Sequence, residues 1–300
     1  MTSNIKLTFL GTADQIPSSD RNHTAILLTY EGDNILVDCG EGTQRQFRKA
    51  GLNPCKVTKI LITHWHGDHV LGLPGLLSTL SLSGYNKKLY IYGPKGTKEF
   101  VMEMLRVFGF KKNYEIVAEE VSGKFYDNGD FYLEAESMEH GIPCNAYSFV
   151  KKGQIRIDKA KLKKLKIKEG PHLVELKKGK DISFNGKNYK AKDLTYKDED
   201  RKISFVLDTR DNKKIIPFVK DADLLVCESS FEDGLKEQAH EHLHLTSTQA
   251  GEIAKKAKVK KLVLTHLSQR YEKNTKFILN EAKKVFKDTL VVKDFDSVSV

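Results

Sequence analysis

The chain has 300 residues, 39% apolar and 30% charged, with a formal net charge of +10 and a pI near 9.2. This length allows one large domain or two medium ones, and the balance is ordinary for a compact protein with a sizeable core. No apolar run approaches the ~18 to 20 residues that span a bilayer, and the opening MTSNIKLTFLG enters a strand pattern without a signal-peptide core, so a cytoplasmic protein with no membrane partner is expected. Cys39, Cys55, Cys144 and Cys227 form no CxxC pair, which predicts reduced, mostly buried thiols rather than a disulfide framework or a thiolate zinc site. The positive charge favours polyanionic partners, although lysine-rich surfaces also arise for solubility or heat tolerance.

Short β-rich runs recur in chain order: IKLTFLG (5–11), TAILLTY (24–30), NILVDCG (34–40), KILITH (59–64), KLYIYG (88–93) and FYLEAESMEH (131–140). The second half repeats the habit with ISFVLDT (203–209), DLLVCES (223–229) and KLVLTH (261–266). Helical patterns lie between them, notably over 97–109, 246–258 and 276–286. The expectation is an α/β protein with two strand-rich halves and helices outside them. Residues 151–199 break the rhythm: between Lys151 and Lys180 stand twelve Lys or Arg against three acids, with few large apolar residues and a Gly170-Pro171 break. That segment reads as a protruding basic arm inserted into a single domain over 1–300. RIDKAKLKKLKIKEGP within it predicts a helix capped by Asp158 and stopped by Gly-Pro.

The chemistry concentrates in KILITHWHGDHVLGLPG, where His64, His66, Asp68 and His69 follow an apolar strand within six positions. Packing does not explain such a cluster, whereas imidazole and carboxylate donors suit Zn²⁺ with a position left open for water. Alternate residues of the turn can face different pockets, so two ions could be served. His140, Asp208 and His266 also stand at the carboxyl ends of apolar strands, where loops of a layered α/β fold converge, bringing the donor set to seven.

With those three residues, His64-Trp-His66-Gly-Asp68-His69 resembles the metallo-β-lactamase superfamily. FLGTADQIP, RNHTAILL, LVDCGEGTQRQ, THWHGDHVLGLPGLL and LTHLSQRY are similar, in order, to blocks of its ribonuclease Z family, the transfer-RNA 3′-processing endonucleases. The resemblance implies an αβ/βα sandwich of two mixed sheets with outer helices. It also implies that His64, His66 and His140 hold one zinc, that Asp68, His69 and His266 hold another, and that Asp208 bridges them, with Mn²⁺ or Fe²⁺ as possible substitutes. Two close cations can hold a hydroxide and stabilise charge on an attacked phosphorus. Asp68 is then the carboxylate nearest the nucleophile, while Glu228 in LVCESSF and His244 in HLTSTQAGEIA resemble the pair that protonates the leaving 3′ oxygen, Glu228 orienting and His244 donating.

The implied activity is zinc-dependent removal of the 3′ trailer from precursor tRNA, leaving a 3′-OH on the tRNA and a 5′-phosphate on the trailer. The basic arm resembles the family's exosite for tRNA, and a homodimer is implied. Two positions depart from the pattern: Cys227 stands where many relatives have histidine, and Ser19 where a lysine is frequent, which leaves Arg21 as the expected phosphate contact. His240 and His242 invite a rival third metal site, but the resemblance selects His244 alone and they read as partly exposed neighbours; His23 and His172 read as surface residues. The alternatives are a dizinc hydrolase of small phosphodiesters, esters or thioesters on the same fold, and a catalytically silent RNA-binding protein.

Overall fold

The structure, a computed structural model, describes residues 5–110 and 113–300, so the domain expected over 1–300 includes a few positions outside the described residues. Two compact units divide the chain. The larger comprises Met1–Asp127, Leu133–Phe149 and Lys202–Val300, and the smaller Asn128–Tyr132 and Val150–Arg201.

The larger unit is an αβ/βα sandwich. One seven-stranded sheet has the order Ser297–Ser299, Lys6–Gly11, Ala25–Tyr30, Asp33–Val37, Lys59–Leu61, Leu89–Gly93, Ile116–Glu120. The other runs Thr289–Val291, Leu262–Thr265, Leu224–Glu228, Arg201–Val206, Cys144–Lys151, Phe131–Met138, Gly123–Asp127. Each sheet mixes antiparallel hairpins with parallel strands, and the central parallel ones are buried apolar runs, as in LLVCE of Leu224–Glu228. Phe131–Met138 instead alternates buried and half-buried residues, the pattern of a strand with one wet face.

The inner faces meet through Tyr30 edge-on to Phe149, with ring centroids 5.5 Å apart, and through Tyr147 Oη, which donates to Ile62 O at 2.7 Å. Helices Thr43–Lys49, Leu73–Leu82 and Thr97–Val107 cover the first sheet around Phe47, Leu76 and Val101. Ser247–Lys256 and Lys276–Val285 cover the second around Ile253 and Ile278. The helix expected from 246 starts where Thr246 accepts from Gln249 N in a reciprocal capping box. The strand Cys144–Lys151, CNAYSFVK, is buried throughout but was not among the expected runs, because its Asn and Ser interrupt the apolar pattern. No helix among the described residues is long and apolar enough to cross a membrane.

The smaller unit corrects two expectations. The helix capped by Asp158, which accepts from Lys161 N at 3.0 Å, ends at Lys164, well before Gly170-Pro171; Pro171 instead N-caps the next helix, His172–Lys177. Four of the six positions of the Asp158-capped helix are lysines, and Lys166 just beyond it turns left-handed at φ 56°. The segment read as poor in apolar residues also has a core of its own, formed by Leu162, Ile167, Leu176, Ile182, Ala191 and Leu194. Ile182–Phe184 and Lys187–Tyr189 pair around Asn185-Gly186, both at positive φ as a tight hairpin turn requires. Lys159, Lys161, Lys163, Lys164, Lys166 and Lys168 remain exposed.

Candidate metal centre and cleft

Parallel strands of both sheets deliver their carboxyl ends to one edge. Asp38 follows Asp33–Val37, His64 follows Lys59–Leu61, Asp208 follows Arg201–Val206, Glu228 ends Leu224–Glu228, and His266 follows Leu262–Thr265. The sheets are joined there: Asn145 N donates to Thr63 O at 2.8 Å and Leu267 N to Thr12 O at 3.0 Å. Asp38, Asp208 and His266 leave their strands in the left-handed region, at φ 57°, 45° and 55°, a conformation that costs non-glycine residues about 1 kcal/mol or more each and here turns their side chains into the site.

The loop carrying His64, His66, Asp68 and His69 is clamped against residues 38–40. Cys39 N donates to His69 O at 2.8 Å and Gly72 N to Cys39 O at 2.9 Å. A Cβ at Gly72 would lie 2.0 Å from Gly40 O, and one at Gly40 would lie 2.4 Å from Asp68 O, so the close approach requires glycine at both positions. Gly72→Ala is therefore expected to cost on the order of 2 kcal/mol through overpacking and to loosen the loop. A urea-unfolding midpoint equal to that of the unsubstituted protein would show that no clamp exists.

All seven expected ligands come together. Donor atoms of His64, His66 and His140 lie within 4.8 Å of one another, as do those of Asp68, His69, Asp208 and His266. His66 Nδ1 sits 3.0 Å from His64 Nε2 and 3.1 Å from His140 Nε2. His69 Nε2 lies 3.1 Å from Asp68 Oδ2, 3.4 Å from Asp208 Oδ2 and 3.3 Å from His266 Nε2. Asp208 stands between the groups: Oδ2 is 3.6 Å from His64 Nε2 and Oδ1 is 3.1 Å from His266 Nε2.

The ring orientations suit cation binding. His69 Nδ1 donates to Asp38 Oδ2 at 2.6 Å, and Thr63 Oγ1 donates to the same oxygen at 2.8 Å. Thr63 Oγ1 then accepts from His64 Nδ1 at 3.1 Å, while His140 Nδ1 donates to Leu243 O at 3.3 Å. His266 Nδ1 faces Ser230 Oγ at 3.0 Å. Each of these rings is thus held by Nδ1 with an Nε2 lone pair presented to the cluster, the arrangement in which outer partners orient metal-binding histidines. Asp208 Oδ1 is buried with no hydrogen-bond partner among the described residues, an expensive state that a bound cation relieves. Nitrogen and carboxylate donors in this number fit divalent zinc, manganese or iron.

Charge follows the same logic. Burial acts to raise the Asp208 carboxyl, but His266, His69 and His64 outweigh it and hold it well below the usual carboxylate range. Burial, with His69 beside it, lowers His64 well below an ordinary imidazole. Burial opposes a charged His69, yet Asp208 and Asp38 raise it well above the ordinary value.

Next to the cluster, Glu228 is fully buried and accepts from Thr209 N at 2.7 Å and from His244 Nδ1 at 3.0 Å. Burial would lower the His244 imidazole, but the Glu228 carboxylate overcomes this and pushes its pKa up to about 9. An open cleft of about 590 Å³ gives access to the cluster and to His244, with Ile16, Phe231, His242 and Arg270 among its walls.

Some expectations change. Arg21, the expected phosphate contact, is buried, and its Nη1 donates to Thr12 Oγ1 at 2.7 Å and to Val292 O at 2.8 Å, so it braces the strands rather than facing the cleft. His23, read as a surface residue, is buried and bonded to Gln15 O. His242 is exposed but stacks on Phe231 at the cleft wall, and neither it nor His240 joins a candidate metal group among the described residues. Cys227 is buried in the apolar core behind Glu228. Sequence reasoning missed Asp38, Thr63 and Ser230, whose residue types are common and whose spacing to the ligands carries no local signal.

A family model described as Anti-Pycsar protein Apyc1 matches residues 5–115. Over 289 residues the chain is 37% identical to a ribonuclease Z of Nanoarchaeum equitans, covering 96% of this chain and 91% of that protein. Among solved structures, the short form of human tRNase Z aligns with a TM-score of 0.72 and 28% identity, covering 98% of this chain and 99% of its own. The metallo-β-lactamase fold protein YhfI of Bacillus subtilis aligns with a TM-score of 0.72 and 19% identity over the whole of both chains, a likeness of fold.

Proposed function

The chain belongs to the ribonuclease Z family, and from that premise we propose that it is a metal-dependent endoribonuclease that removes the 3′ trailer from precursor tRNA. In this reading His64, His66 and His140 hold one Zn²⁺, Asp68, His69 and His266 hold a second, and Asp208 serves both. The observation that supports it best is the convergence of His64, His69 and His266 Nε2 on the Asp208 carboxylate, whose Oδ1 has no hydrogen-bond partner among the described residues. Divalent cations bound there supply Lewis acidity at phosphorus and a lowered pKa for water.

The chain's own groups supply the rest. Burial acts to raise the Asp68 carboxyl, but His266 and His69 hold it well below the usual range, so it stays charged and orients the attacking water. Glu228 keeps Nδ1 of His244 occupied, which leaves the opposite ring nitrogen to protonate the departing 3′ oxygen. The P–O3′ bond breaks as the bond to water oxygen forms, leaving a 3′-OH on the tRNA and a 5′-phosphate on the trailer. Exposed lysines of the 151–199 segment provide phosphate contacts, each adding salt-dependent affinity. A homodimer and a cytoplasmic location complete the reading; the free thiols of Cys39, Cys55, Cys144 and Cys227 suit a reducing compartment.

Incubation of the purified protein with one precursor tRNA, followed by end mapping, tests the reading. Cleavage after the discriminator nucleotide is expected, with the stated termini. A chelator should reduce the rate at least about 100-fold, and added zinc or manganese should restore it. Metal-loaded protein that leaves the precursor intact while hydrolysing a simple phosphodiester would overturn the proposal in favour of a small-molecule hydrolase.

A further inference from the structure

We infer that Ser230 is a positioning residue that ties the proton-donating pair to the metal cluster through one hydroxyl. Its Oγ lies 2.8 Å from Glu228 Oε2, 3.0 Å from His266 Nδ1 and 3.2 Å from His266 O, and the residue is 2% exposed. A hydroxyl has one proton and two lone pairs. Both oxygen neighbours can only accept, and the shorter bond to the ionised carboxylate is the stronger, so the proton goes to Glu228.

That choice dictates the rest. With its proton committed, Oγ faces His266 Nδ1 as an acceptor, so Nδ1 carries the hydrogen and Nε2 keeps a lone pair. Nε2 is the atom that points to Asp208 Oδ1 at 3.1 Å and to Asp68 Oδ2 at 3.5 Å. A chain of donors therefore runs from His266 Nδ1 to Ser230 Oγ to Glu228 Oε2, and His244 Nδ1 donates to the same carboxylate from the other side. Glu228 Oε1 accepts separately from Thr209 N at 2.7 Å, so the Ser230 hydroxyl and His244 Nδ1 are what hold Oε2. The side chain on which His266 leans is thus also the one that holds Glu228 beneath His244.

Removing the hydroxyl has two effects that a mere packing role lacks. His266 Nδ1 loses its acceptor in a buried site, so the ring is free to turn or to take the other tautomer, which weakens cation binding. Glu228 loses a donor, so its carboxylate and the His244 ring above it lose their fixed position, which weakens protonation of the leaving oxygen. The first effect is independent of the proposed RNA cleavage; the second rests on the assignment of Glu228 and His244 given above.

Ser230→Ala and Ser230→Thr test this, each checked for folding by circular dichroism. Zinc affinity is measured on metal-free protein by competition with a chromophoric chelator. Ala is expected to weaken it about 10- to 100-fold, the scale for loss of an outer partner, while Thr, which keeps the hydroxyl, stays within about threefold of the parent. At saturating zinc, Ala should lose about tenfold more rate on a ribonucleotide diester than on bis(4-nitrophenyl) phosphate, whose leaving group needs no proton. Folded Ser230→Ala protein with the parent's zinc affinity, or one that loses both substrates equally when loaded, overturns the inference. If the parent does not cut precursor tRNA, the proposed substrate fails, yet the zinc titration still decides the role of Ser230.

Discussion

Asp208→Asn is expected to lower kcat on precursor tRNA by about 10³-fold or more, because under the proposed assignment it would remove a bridging carboxylate and with it several kcal/mol of metal-centred stabilisation. Asp208 is the side chain whose oxygens reach His64, His69 and His266. Asparagine keeps the shape but removes the charge that would balance bound cations. Metal content by elemental analysis should fall below that of the parent protein, and the rise in Tm on adding zinc should shrink, since ligand-linked stabilisation scales with affinity. A variant within tenfold of parental activity, or one holding the parental amount of metal, would exclude a bridging role.

His244→Ala is the second large effect. General acid catalysis contributes about 10²- to 10⁴-fold, and a loss of that size is expected on precursor tRNA, with a much smaller loss on bis(4-nitrophenyl) phosphate. Glu228→Gln should follow the same pattern, since a neutral amide no longer supports the charged imidazole. The pH dependence has a definite sign. Burial lowers His244, but Glu228 raises it above the ordinary 6.5 to about 9, so the acid is present at neutral pH and is lost as pH rises through that region. Cations bound in the cluster would repel the imidazolium and move this limb downward. The rate on RNA should therefore fall on the alkaline side at or below about pH 9, and that limb should be absent with the nitrophenyl ester. An alkaline limb of equal size on both substrates would remove His244 from the acid role.

Much of the fold is legible in the sequence. The α/β layering follows from apolar runs such as LLVCE and LVLT, which read as buried strands without a partner in view. The candidate turn is legible too, because His64, His66, Asp68 and His69 place four imidazole and carboxylate groups within six positions. The rest follows from distance in space. His69 and His266 are 197 positions apart and meet at 3.3 Å; no periodicity reports such a meeting. Arg21 shows the converse, since an arginine beside a loop reads as exposed until the strands around Val292 are seen to enclose it.

By itself, then, the sequence determined which chemistry the chain can hold: strand-forming runs, a turn dense in metal-binding side chains, and a lysine-rich segment. Only the tertiary structure decided which ring nitrogen each histidine turns inward, that Asp38, Thr63 and Ser230 orient those rings, and that the basic segment has an apolar core. Local patterns report the faces of single elements, whereas a hydrogen bond depends on separations of about 3 Å between side chains from different strands, which exist only once the two sheets have packed.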